Sequence, residues 1–139
     1  MSQISAKLGH VVLLIHDYDL NVDIYKKLFK YFNFEFITDE NYGIGVRMMN
    51  GSSLWVMKST VEDINNRDGN GLNHIGFNVD SKKDVDQFTE EFLKVNNVET
   101  LFDTPKDRPD FTGDSGNYYQ VMFELPGKIL FEVVFTTFS

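Results

Sequence analysis

The stretch LNHIGFNV at residues 72–79 decides the fold, because it reappears in altered form 64 residues earlier as LGHVVLLI at residues 8–15. Both stretches are short and almost continuously apolar, the pattern of a buried strand. Asp17 and Asp19 follow the first and Ser81 the second, residues suited to turns and helix starts. Leu20, Ile24, Tyr25, Leu28 and Phe29 then recur at helical spacing, and the helix they predict ends before Asn33. Downstream of Ser81 the corresponding stripe is Val85, Phe88, Phe92 and Leu93, with Asp84 completing a start like a capping box. Three short strands fit after each helix, at 34–38, 44–49 and 53–58, and near 99–102, 118–123 and 128–135. Asn50-Gly51 between two of them is a strong hairpin signal.

The chain therefore reads as an α+β protein of two βαβββ modules, about residues 7–60 and 71–137, joined by a linker at 61–71. The helices align 63 residues apart, Val22 with Val85 and Tyr25 with Phe88; the last strands align 76 apart, Gly51 with Gly127 and Val56 with Glu132. The extra dozen residues fall in a stretch rich in Pro, Asp and Gly at 103–117, long enough to expect a lid or binding loop.

With 139 residues and 42% hydrophobic content, one compact domain is expected. Thirteen Phe and six Tyr make its core aromatic, with rings to spare for a pocket. A net charge of −8 disfavours nucleic acid and anionic membrane surfaces, which reward a basic face. The absence of cysteine restricts any metal to nitrogen and oxygen ligands. The polar start of the chain and the lack of a long apolar run predict a cytoplasmic protein.

Alternation along strands puts His10 on a face with Val12 and Leu14, His74 with Gly76 and Asn78, and Glu132 with Leu130 and Val134. The opposite faces, with Val11 and Leu13, Ile75 and Phe77, or Phe131 and Val133, are apolar and should carry the helices. Each of the three polar residues alone has an ordinary reading, a hydrogen-bonded core histidine or an edge glutamate. Together, two histidines at equivalent positions of a repeat and a carboxylate inside a strongly apolar last strand have the makings of a metal site, His10, His74 and Glu132. His16 is expected at the surface, and Glu90-Glu91 on a solvated helix face.

These residues, with Gly9-His10-Val11, Asn73-His74-Ile75-Gly76-Phe77 and Phe131-Glu132-Val133, give a chain that resembles the vicinal oxygen chelate superfamily of glyoxalases, bleomycin resistance proteins and extradiol dioxygenases. The resemblance implies paired modules forming a curved mixed sheet around a cleft, helices on the outer face, and a homodimer. It maps metal ligands onto His10, Val56, His74 and Glu132. Val56 cannot coordinate, which leaves three ligands for a divalent ion (iron, manganese, nickel or zinc), closer to the dioxygenase arrangement than to that of the four-ligand isomerases. The implied function is a metal-dependent lyase, isomerase or dioxygenase acting on a small oxygenated substrate by bidentate chelation. Glu132 would serve as the base, and Arg108, Tyr118 and Tyr119 would hold the substrate. Core packing for a tyrosine and a surface ion pair for Arg108 are the plainer readings. The alternative function is a non-enzymatic small-molecule binder with Trp55, Phe111, Tyr118 and Tyr119 as platforms.

Overall fold

A computed structural model describes residues 3–137, which fall into two compact units, one ending at Asp63 and the other beginning at Ile64. Each unit holds one four-stranded mixed sheet. In the first, β1 (His10–Ile15) leads into helix α1 (Tyr18–Tyr31), and β2 (Glu35–Glu40), β3 (Gly43–Arg47) and β4 (Ser53–Lys58) complete the order β1-β4-β3-β2. In the second, β5 (His74–Asn78) leads into α2 (Lys82–Phe88), and the order β5-β8-β7-β6 is built from β6 (Thr100–Asp107), β7 (Tyr118–Leu125) and β8 (Ile129–Thr136). The first and last strands of each unit pair in parallel and the others antiparallel, so the two units share one topology.

Each sheet buries one face under its helix. Tyr25, Leu28 and Phe29 of α1 are fully buried, as are Ile44, Val46 and Val56 of the first sheet. Leu20 departs from the expected stripe and is 83% exposed; Val22 takes its place. In the second unit Ser81 caps α2, its Oγ accepting from the Asp84 amide at 3.1 Å. The helix continues as a π-helical turn, Thr89–Leu93, where the Thr89 hydroxyl donates to the Val85 carbonyl. Its apolar face meets a run of phenylalanines in which Phe77 and Phe123 stack on Phe131 at 6.0 and 5.7 Å. Among the described residues, no helix is long and apolar enough to cross a membrane.

The stretch at 103–117 is only partly the expected loop. Strand β6 runs on to Asp107, and the extra chain bulges between Leu101, paired with Met122, and Lys106, paired with Gln120. Phe102 and Asp103 adopt positive φ there, and the Thr104 hydroxyl bridges the gap by accepting from the Met122 amide and donating to the Leu101 carbonyl. A single short helix, α3 (Pro109–Thr112), occupies the remainder before β7.

The strand registers revise the alignment of the two halves. His10 pairs with Ser53 and Val12 with Trp55 in one unit; His74 pairs with Leu130 and Gly76 with Glu132 in the other. Val12 and Gly76 are 64 positions apart, so Trp55, not Val56, is the counterpart of Glu132, at an offset of 77. The hairpins agree. Arg47 pairs with Ser53 and Glu124 with Leu130, which sets Gly51, with φ 89°, opposite Lys128, with φ 54°, and not opposite Gly127. Matching glycine with glycine had shifted the strand by one residue, and one residue reverses the face of every side chain. Val56 accordingly lies in the core at 0% exposure.

Candidate functional site

The face of the second sheet opposite the helices carries an open hollow of about 280 Å³, lined by residues that include His74, Phe102, Arg108, Phe111, Tyr118, Gln120 and Glu132. Parallel pairing of β5 with β8 places Gly76 beside Glu132 and sets His74 two residues along the same face. The lack of a side chain at Gly76 makes room: a Cβ there would come within 3.1 Å of Glu132 Oε1.

Glu132 is 3% exposed, and such a carboxylate needs partners. It has two donors. The Tyr118 hydroxyl reaches both oxygens, at 3.0 and 2.8 Å, and Gln120 Nε2 donates to Oε2 at 2.7 Å. Gln120 in turn accepts from Arg108 Nη1 at 3.0 Å. A line of polar groups thus runs from Arg108 through Gln120 to Glu132. Burial, followed by the hydrogen bond to Glu132, raises the Tyr118 hydroxyl pKa well above its ordinary range, so this group remains a donor.

On the other side, Glu132 Oε1 faces His74 Nε2 at 3.7 Å. The state of that ring follows from its neighbour. Asn73 donates through Nδ2 to the Arg67 carbonyl at 2.8 Å, which turns its Oδ1 toward His74 Nδ1 at 2.6 Å. Nδ1 therefore carries the proton, and in the neutral ring Nε2 presents its lone pair toward Glu132. A ligating histidine held through its other nitrogen is the arrangement metal sites use. One nitrogen and one carboxylate oxygen at this separation suit two adjacent positions on a divalent ion. Among the described residues, neither unit by itself gathers three His, Cys, Asp or Glu side chains as a metal site.

Of the expected site residues, the structure brings together His74, Glu132, Tyr118 and Arg108. Arg108 makes the surface ion pair of the plainer reading, with Nε and Nη2 on the Asp110 carboxylate at 3.0 and 2.7 Å, yet it also stands 4.0 Å over the Phe111 ring and lines the hollow. Tyr119 does not join them. Alternation turns it to the helix side, where its hydroxyl donates to Asp86 Oδ1 at 2.6 Å and Lys82 lies over its ring. His10 is exposed in the first unit, at the register position of His74. The counterpart of Glu132 there is Trp55, whose ring covers Gly45, where a Cβ would come within 2.4 Å, and whose Nε1 donates to Ser53 Oγ. Sequence reasoning missed Gln120 and Asn73. Alternation from Tyr118 would have placed Gln120 on the site face, but an amide carries no chemical signature to single it out.

Comparison with known proteins agrees with this architecture. Residues 7–125 match the sequence profile described as the Glyoxalase/Bleomycin resistance protein/Dioxygenase superfamily. The uncharacterized protein YqjT of Bacillus subtilis is 41% identical over 64 residues, 46% of this chain and 46% of that protein's length. A glyoxalase-like protein from Bacillus halodurans superposes with a TM-score of 0.77 at 22% identity, covering 92% of this chain and 94% of that one. The fosfomycin resistance protein FosX of Listeria monocytogenes does so with a TM-score of 0.68 at 22% identity, covering 97% and 94%. The duplicated βαβββ units and the family match over most of the sequence lead to one conclusion: the chain belongs to the Glyoxalase/Bleomycin resistance protein/Dioxygenase superfamily.

Proposed function

We propose that the chain is a glyoxalase-like, metal-dependent enzyme acting on a small oxygenated molecule, with His74 and Glu132 as ligands of a divalent ion. The observation that carries this reading is the facing pair itself, His74 Nε2 and Glu132 Oε1 at 3.7 Å, with the imidazole proton fixed on the far nitrogen by Asn73. When bound, the ion would supply Lewis-acid polarisation of paired substrate oxygens. The protein's part is to hold the carboxylate. Tyr118 and Gln120 tether mainly Oε2, so Oε1, the oxygen that would face the ion, can leave it transiently and take a proton from substrate, which makes Glu132 the base. His10, the register counterpart of His74, is the candidate for a third ligand, and the two modules function as a single domain in a homodimer.

Cobalt(II) gives a direct test, because its visible absorption bands report coordination. Bands that appear in the wild type, vanish in His74→Ala and shift on addition of catechol are expected; bands indifferent to catechol would rule out bidentate chelation. Trp55 in place of a carboxylate in the first unit favours a second reading, a binding protein with no turnover. For that protein, ligand affinity would survive His74→Ala and Glu132→Gln.

A further inference from the structure

The hollow carries a second feature besides the facing pair, and it bears on what the substrate looks like. An arginine guanidinium has five N–H donors. Arg108 commits three of them: Nε and one on Nη2 to Asp110, and one on Nη1 to Gln120. Among the described residues, the other two, one on each terminal nitrogen, have no partner. Two N–H donors on one cation complement the two oxygens of a carboxylate. Gln120 beneath and the Phe111 ring at 4.0 Å fix the plane of the group, so little ordering is left for a ligand to impose.

The counter-ion is held differently. Asp110 has a side chain 54% exposed, against 26% for Arg108, and it does not line the hollow. Arg108 holds the Asp110 carboxyl below the usual range, but this is an exposed pair, screened by water and weak in net terms. The other arginine lining the hollow, Arg67, is engaged with Glu124. Arg67 is held through Nη1, whereas Arg108 is oriented by Asp110, Gln120 and Phe111, so in a chain of net charge −8 the pre-oriented guanidinium of the hollow is that of Arg108.

We propose that the ligand of this hollow is a short organic acid whose carboxylate binds Arg108, with Asp110 as an internal competitor that weakens the interaction. The inference rests on the hollow being the substrate site. It adds a size limit: one glutamine amide separates the guanidinium from the Glu132 carboxylate, so the oxygenated carbons lie within a few bonds of the acid group.

The test titrates lactate and its neutral analogue lactamide into metal-free, nitrogen-15-labelled protein, following the Gln120 side-chain amide resonance, which every variant keeps. Lactate is expected to bind about tenfold more tightly than lactamide, the scale of one charge-assisted hydrogen bond. That preference should vanish in Arg108→Gln, fall partway in Arg108→Lys, and grow several-fold in Asp110→Asn. Equal affinity for the two compounds in the wild type would overturn the proposal, as would weaker lactate binding in Asp110→Asn, which would make Asp110 a support for Arg108 and not a competitor. Repeating the titration with zinc separates this proposal from the functional reading beneath it. Lactamide binding that needs both zinc and His74, with no preference for lactate, sinks the carboxylate site alone. A lactate preference in a protein that takes up no zinc sinks the metal pair alone.

Discussion

Glu132 lies almost wholly out of water in a strand of apolar neighbours, and without partners such a carboxylate would cost the fold several kcal/mol. Gln120, 1% exposed, meets part of that cost and also links the carboxylate to Arg108. Gln120→Leu should therefore destabilise the protein by about 1–3 kcal/mol, read from urea unfolding, since it strips one donor from a buried charge. Tyr119 makes a different prediction. Burial and the hydrogen bond to Asp86 push its hydroxyl up to about 12, so the folded chain holds that proton more tightly than the unfolded one. This share of stability is complete below about pH 10 and is lost as pH rises toward 12. Melting curves between those values should fall more steeply for the wild type than for Tyr119→Phe. The sequence marked Glu132 and His74 by their chemistry and their place in a repeat. It could not mark Gln120 or Asn73, whose roles depend on which groups the folded sheet sets beside them.

Elements show where a sequence repeat misleads. Helices α1 and α2 and the strands leading into them were legible because their buried residues keep one spacing: Val22 and Val85, Tyr25 and Phe88. The last strands were misaligned by one residue because two glycines in the hairpins invited a match that backbone conformation does not respect, Lys128 and not Gly127 standing where Gly51 stands. The corrected register has a sharp consequence. Trp55→Glu introduces a carboxylate on the open face of the first sheet and should yield a soluble, folded protein destabilised by no more than about 1–3 kcal/mol. Val56→Glu places the same charge at a position with no exposure and should fail to fold. Circular dichroism and thermal melts of the two variants decide it; a folded Val56→Glu would restore the original alignment. The bulge in β6 was hidden for a related reason: extra residues taken up within a strand look, in sequence, like a loop.

For the whole molecule, duplication is what made the chain readable. Two sheets of identical order followed from one repeated pattern, whereas the repeat gave no warning of the difference between them, a glutamate facing a histidine in one and a tryptophan over a glycine in the other. The claim on which the rest depends is that His74 and Glu132 hold a divalent ion. Elemental analysis of the protein purified without chelator or histidine tag, beside His74→Ala and Glu132→Gln, tests it most directly. About one equivalent of a divalent metal in the wild type and a loss of at least tenfold in both variants is the expected result; a wild type that stays metal-free after reconstitution with iron, manganese, nickel and zinc, or variants that retain its metal content, would contradict it.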